Sequence, residues 1–159
     1  MFRIGHGYDV HQIVKKQAPL FLGGIEIPAD FSLKAHSDGD VVLHALTDAL
    51  LGAAALGDIG QHFPDTDKEY KNKQSRFFVQ NTIQILTKKH YQIGNIDITI
   101  AAQAPKLSPF IQSMRQCIAQ LLNVDLNQVN IKATTTEKLG FVGRKEGIAC
   151  YAVALLIQQ

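Results

Sequence analysis

The chain has 159 residues, 46% hydrophobic and 19% charged, which fits one domain with a real core and excludes a disordered or fibrous protein. With 16 basic and 14 acidic residues the net charge is +2 and no basic stripe stands out, which argues against a nucleic-acid binder; the one dense basic run, Lys88-Lys89-His90, falls where a helix should end and cations suit the dipole. The longest apolar stretch, Ala49–Leu56, is too short to cross a bilayer, and Met1–Val14 carries charge and histidine where a secretory leader would be apolar, so a cytoplasmic protein is expected.

In chain order, Arg3–Val14 reads as a strand. Leu20-Phe21-Leu22 and Ile25-Glu26-Ile27-Pro28, joined by Gly23-Gly24, read as a hairpin with a two-glycine turn. Asp40 is placed to cap a helix in which Val42, Leu46, Ala49, Leu50 and Ala53 recur at helical spacing, and Gly57 is expected to stop it. Gly57–Asn72 reads as a long loop. Ser75 is expected to cap a second helix with Phe78, Thr82, Ile85 and Leu86 on one face. Asn95–Ala101 alternates as a strand. Ser108-Pro109 opens a third helix, with proline at the favoured first position and a stripe of Ile111, Met114, Ile118, Leu121 and Leu122. Val129–Thr136 and Gly147–Ile157 read as the last strands.

Strands alternating with helices predict a single-domain α+β chain, an α/β sandwich in which helices cover one face of a mixed β-sheet. The last strand predicts more. Ile148, Cys150, Ala152, Ala154 and Leu156 form one apolar face, and Ala149, Tyr151, Val153, Leu155 and Ile157 form another. Both faces should therefore be buried, the second against identical chains in a homo-oligomer. Cys117 and Cys150 carry no metal spacing and read as small buried side chains.

The polar residues that suit no core are the informative ones. Asp9 and His11, two apart on a strand, point to the same side. A helical His44 would close a site of two imidazoles and one carboxylate, leaving one position of a zinc ion open to a substrate oxygen. By spacing alone the stripe Asp40, His44, Asp48 reads first as a solvated helix face; the Asp9-x-His11 pair shifts the balance towards metal, while His6 fits a structural histidine. His36-Ser37-Asp38-Gly39-Asp40 fits either phosphate binding at a helix start or a turn with its cap. Gly57-Asp58-Ile59-Gly60 and Phe63-Pro64-Asp65-Thr66-Asp67 fit either a site for sugar hydroxyls or a second cation, or plain turn chemistry. Thr134-Thr135-Thr136-Glu137 is an ordinary strand end or a place for phosphate and a divalent ion. Arg144, after Phe141, is a surface arginine or an anion clamp.

Together these motifs, with Ala102-Gln103-Ala104-Pro105-Lys106 and Lys132–Phe141, resemble the 2-C-methyl-D-erythritol 2,4-cyclodiphosphate synthases of the non-mevalonate isoprenoid pathway. The resemblance runs over nearly the whole chain and implies one synthase domain over residues 1–159. It implies zinc on Asp9, His11 and His44, and magnesium or manganese on Glu137. It implies that His36 and Thr135 stabilise the transferring phosphate. Substrate contacts are implied for Asp9, Val10, His11, His36 and Ser37; for Asp58, Ile59, Gly60 and Phe63, Pro64, Asp65, Thr66, Asp67; for Ala102, Gln103, Ala104, Pro105, Lys106, Leu107 and Ser108; and for Thr134, Thr135, Thr136 and Glu137. It further implies a homotrimer with active sites between subunits, and Phe141 and Arg144 lining an axial cavity that resembles a prenyl diphosphate site. The implied reaction closes 4-diphosphocytidyl-2-C-methyl-D-erythritol 2-phosphate into a cyclic diphosphate and releases CMP. Two rivals remain at this point: a zinc hydrolase of phosphodiesters or nucleotides that activates water, and a binding module with a structural zinc and a fourth protein ligand.

Overall fold

The long strand at the start of the chain sets the architecture. In a computed structural model, which describes residues 1–35, 37–64, 66–67, 70 and 73–158, β1 spans Phe2–Lys15 and alternates between a helix-facing row and an outward row. It is followed by β2 (Leu20–Leu22), β3 (Ile25–Ile27), β4 (Phe31–Leu33), α1 (Val41–Ala53), α2 (Ile59–His62), α3 (Ser75–Lys88) and β5 (Tyr91–Ala101). A 3-10 turn at Ser108–Phe110 leads into α4 (Ile111–Leu122), then come β6 (Val129–Thr134), α5 (Gly140–Gly143) and β7 (Gly147–Gln158).

The main sheet has the order β4-β1-β7-β5-β6. β7 runs antiparallel to both β1 and β5, whereas β6 lies parallel to β5, so the sheet is mixed and the chain is a single-domain α+β fold. Helices α1, α3 and α4 form the second layer. Ile148, Cys150, Ala152, Ala154 and Leu156 of β7 meet them with Ile96, Ile98 and Ile100 of β5, and all are buried. The hairpin forms as the sequence predicts, with Gly23 and Gly24 both at positive φ.

Close approach explains why α1 sits where it does. Gly5 and Gly7 lie on the helix-facing row of β1, and a Cβ at either would overlap the α1 backbone, the Ala49 carbonyl oxygen for Gly5 and that of Ala45 for Gly7. Bare backbone at these two positions lets the helix axis settle directly on the strand.

Several expectations need correction. The first helix ends at Ala53, not at Gly57: Ala55 takes the left-handed conformation, and Leu56 N–H closes back onto Leu51 O at 3.0 Å, completing a C-cap three residues early. Ser75 is the first residue of α3 and not its cap; Gln74 occupies that place without a side-chain bond. The strand at 95 starts at Tyr91, with a bulge between Ile93 and Asn95, and the strand at 129 ends at Thr134. Cys117 is only half-buried. The second apolar face of β7, expected to meet identical chains, is open in the single chain: Tyr151 and Val153 are 43% and 40% exposed, and Phe2 and Ile4 on the same outward face of β1 are 72% and 74% exposed.

Alanine at Gly7 is expected to lower unfolding free energy by about 3 kcal/mol, since the helix must lift off the strand. Gly52, exposed near the end of α1, has only His6 O at 3.9 Å from an added Cβ, so Gly52→Ala is expected to raise stability by about 0.5–1 kcal/mol. Urea denaturation of the two variants checks the opposite signs.

Candidate metal centre and active site

Beyond Gly5 and Gly7, the same row of β1 carries Asp9 and His11. The close helix therefore brings its own first turn over those two side chains. Where that turn starts is fixed by Asp40. Its carboxylate accepts N–H groups of Val42 and Leu43 at 3.1 Å each, and also those of Gly23 at 2.9 Å and Gly24 at 2.6 Å. One buried carboxylate thus holds both the helix start and the hairpin turn. Burial pushes the Asp40 carboxyl upward, and the backbone N–H groups pull the other way. The stripe Asp40, His44, Asp48 is consequently not a solvated face. Asp40 is fully buried, and Asp48 accepts Ile59 N–H at 2.7 Å, which ties α2 to α1.

His44 completes the group. Its Nδ1 lies 3.2 Å from Asp9 Oδ2 and 3.2 Å from His11 Nε2, and His11 Nε2 lies 2.9 Å from the same Asp9 oxygen. The ligand atoms of the three residues all fall within 4.8 Å of one another. Burial raises the Asp9 carboxyl, but its bonds to the two imidazoles outweigh this and hold it well below the usual carboxylate range. The donor set fits a small divalent cation. Donors about 2.0–2.1 Å from a tetrahedral ion sit about 3.3 Å apart, close to the spacings seen here. His44 Nε2 has Ser75 Oγ at 2.8 Å, an outer-shell partner of the kind ligating histidines use. His11 Nδ1 is buried with no partner among the described residues.

A cleft of about 490 Å³ opens beside this group. It brings together His11, Ser37, His44, Ile59, Gly60, Phe63 and Pro64, all singled out from the sequence. It also adds Lys34, Tyr70 and Phe78, which sequence reasoning missed. Phe78 lay on the predicted core face of its helix, and nothing in the spacing showed that Phe63 would stack beside it at 5.2 Å between ring centres. Asp58 caps α2 by accepting Gln61 N–H at 2.9 Å, and Gln61 holds its carboxyl below the usual range. His36 and Asp65 lie outside the described residues; Thr66 and Asp67 are exposed in the turn that follows Pro64. Val10 projects to the outward face, away from its neighbours Asp9 and His11.

A second cleft, of about 380 Å³, is lined by Ala102, Gln103, Ala104, Pro105, Lys106, Leu107 and Ser108 together with Ala133, Thr134 and Thr135. Thr135 Oγ1 donates to Glu137 Oε1 at 3.1 Å, and Gln103 Oε1 accepts Lys138 N–H at 3.1 Å. Thr136 Oγ1 donates to Leu139 O at 2.7 Å. Register places Asp9, Cys150, Ile100 and Ala133 side by side across the sheet, so Asp9 and the β6 end are three strand spacings apart, about 14 Å. The two clefts are separate on one chain, and Glu137 stands away from the histidine group. Arg144 is exposed and makes a two-pronged ion pair with Glu146, at 2.9 and 3.1 Å, near the half-exposed Phe141.

Comparisons with known proteins point one way. The model of the YgbB family matches residues 2–157. A 2-C-methyl-D-erythritol 2,4-cyclodiphosphate synthase of Francisella philomiragia is 61% identical over 155 residues, covering 98% of each chain. The bifunctional IspDF of Campylobacter jejuni superposes with a TM-score of 0.94 at 47% identity, covering 98% of this chain, which spans 42% of that protein. A CDP complex of IspF from Plasmodium falciparum gives a TM-score of 0.87 at 39% identity, with 99% and 97% of the two chains covered.

His44→Ala removes one of three donors. It is expected to weaken divalent-metal binding by roughly a hundredfold or more while leaving the fold in place. Metal content by atomic emission, with circular dichroism as the fold control, checks it; full metal content would show that the three residues are not the ligands.

Proposed function

The chain belongs to the YgbB family, and on that premise we propose that it is a cyclodiphosphate synthase, a phosphorus–oxygen lyase that converts 4-diphosphocytidyl-2-C-methyl-D-erythritol 2-phosphate to 2-C-methyl-D-erythritol 2,4-cyclodiphosphate with release of CMP. The observation that carries the reading is the convergence of Asp9, His11 and His44 beside an open cleft. The hydrolase and binding-module readings find no support, since the curated relatives are synthases by name, and among the described residues the group consists of Asp9, His11 and His44.

The chemistry explains the residues. The 2-phosphate of the substrate attacks the β-phosphorus of its own diphosphate, so one anion approaches another. Two unit charges about 4 Å apart repel by roughly 1 kcal/mol in water and about 4 kcal/mol at an effective dielectric near 20. Zinc on Asp9, His11 and His44, and magnesium or manganese on Glu137, would neutralise phosphate charge and polarise the phosphoryl group. His36 and Thr135 stabilise the transferring phosphate, and Ser37 helps to bind the substrate. The attacking phosphate is already ionised near neutral pH and needs no protein base. Asp58, Ile59 and Gly60 with Phe63–Asp67 hold the methylerythritol and ribose parts. Ala102–Ser108 and Thr134–Thr136 hold the cytidine diphosphate part, in keeping with the CDP complex of the Plasmodium relative. Phe63, Pro64 and Phe78 wall the metal-side cleft with apolar surface, which favours cyclisation over hydrolysis. A bound geometry in which the two ends meet lowers the entropic barrier to ring closure.

The protein acts in the cytoplasm as a homotrimer whose sites lie between subunits. Two features support the assembly: the exposed apolar row of Phe2, Ile4, Tyr8, Val10, Tyr151 and Val153, and the separation of the two clefts on one chain. Phe141 and Arg144 then face the axis. Among the described residues no helix is long and apolar enough to cross a membrane.

Incubation of the metal-loaded protein with the cytidylyl substrate is expected to yield CMP and a cyclic diphosphate free of oxygen from labelled water; labelled product would mark a hydrolase. Sedimentation at micromolar concentration is expected to give the mass of three chains, and Ile4→Glu is expected to give the mass of one. A wild-type monomer would remove the shared-site reading.

A further inference from the structure

We propose that Ser75, itself held by Asp38, is a positioning residue that fixes the proton of His44 on Nε2 and so presents the Nδ1 lone pair to the metal. The proposal rests on the reading of Asp9, His11 and His44 as the metal centre. A neutral imidazole carries one N–H, and its place decides which nitrogen can bind a cation. His44 Nδ1 faces Asp9 and His11, at 3.2 Å from each. Nε2 faces the other way, with Ser75 Oγ at 2.8 Å and Ser37 Oγ at 3.4 Å.

A hydroxyl can donate to Nε2 or accept from it, and Asp38 decides between the two. Its Oδ1 makes a short contact with Ser75 Oγ, and its Oδ2 accepts Ser75 N–H at 3.0 Å. A carboxylate offers acceptors only. The single hydroxyl proton of Ser75 therefore goes to Asp38, and the Oγ lone pair turned towards His44 accepts the Nε2 proton. The direction of every bond in the chain from His44 through Ser75 to Asp38 is set by its last member. Ser75 is fully buried, so water does not compete for the hydroxyl.

The local structure explains how Ser75 is delivered. It opens α3, where backbone N–H groups lack helical partners. Gln74 at the cap position supplies no side-chain bond, and Asp38, from the segment before α1, takes the Ser75 N–H instead. Asp38 Oδ1 also accepts Asp40 N–H at 3.2 Å, which ties it to the residue that starts α1. One carboxylate thus references the starts of both helices and the ring of His44 to each other.

The test measures zinc affinity by chelator competition, and visible spectra after cobalt substitution, for wild type, Ser75→Ala, Ser75→Thr and Thr47→Ala. Thr47 is the control for loss of a buried hydroxyl, because its Oγ1 donates only within α1, to Leu43 O at 2.8 Å. Ser75→Ala is expected to weaken zinc binding by about 10–100-fold and to shift the cobalt bands. Ser75→Thr keeps the hydroxyl and recovers most of the affinity, and Thr47→Ala binds zinc as wild type does. Asp38→Asn gives a second route if Ser75→Ala does not fold: an amide has one acceptor for the two donors of Ser75, so zinc binding is again expected to weaken. Wild-type affinity with an unchanged cobalt spectrum in Ser75→Ala or Asp38→Asn would overturn the proposal, as would an equal loss in Thr47→Ala. A wild-type chain that binds no zinc would instead overturn the reading of the metal centre.

Discussion

The contact between the bare backbone of Gly5 and Gly7 and the carbonyls of α1 is the constraint on which the site depends. A helix normally stands off a sheet by the height of two layers of side chains. Here one layer is missing along part of β1, so α1 rests on the strand itself. The strand then continues, on the same row, into Asp9 and His11. A helix at ordinary distance would leave His44 too far from them to share a cation. Packing in the core and the geometry of the candidate metal group at the rim are thus one property of the sequence, and a methyl group added inside the core would be felt at Asp9, His11 and His44.

Three carboxylates around α1 show how the same region is held at its ends. Asp40 gathers four N–H groups from the helix start and the hairpin turn, Asp38 holds the start of α3, and Asp48 holds Ile59 at the start of α2. Each bonds backbone donors that helix starts and tight turns leave without partners. A buried carboxylate is costly unless its oxygens are satisfied, and here they are. The acidic residues that look like a hydrophilic helix face therefore act as joints between segments, and the cleft wall from Ser37 to Phe63 inherits its position from them.

The convergence of Asp9, His11 and His44 was legible in the sequence because both relevant periods were present: two residues apart on a strand, and a helix that had to lie near it. The sheet's core face and the two-glycine hairpin were legible for the same reason. What escaped was set by contacts distant in sequence. The stripe Asp40, His44, Asp48 has one spacing whether it faces water or neighbouring loops, and only the fold shows that the hairpin and α2 cover it. Ser75 looked like a cap because serine at a helix start usually is one; its partner Asp38 lies in another segment. Ala55 took the left-handed place that glycine normally fills, so Gly57 was a false stop. β4, α2 and α5 are three or four residues long, too short for any period to register. Tyr70 and Phe78 reach the cleft because an aromatic group forms around Phe63, which no local pattern encodes.

The charge balance of the clefts argues for what the donors are for. Apart from histidines, the described lining of the metal-side cleft offers one cation, Lys34, and the second cleft offers Lys106. Asp9 adds a negative charge beside the first, and Glu137 stands next to Thr135 at the second. A substrate with a diphosphate and a further phosphate brings more negative charge than two lysines offset, and the net charge of +2 gives little help from the rest of the chain. A protein built to bind such a molecule without metal would line its walls with arginine, whose planar fork suits phosphate. The one arginine of the implied set, Arg144, is instead paired with Glu146. Carboxylates and imidazoles in place of arginine make sense when the positive charge arrives as divalent ions, because the residues that look wrong for a polyanion are those that a cation requires.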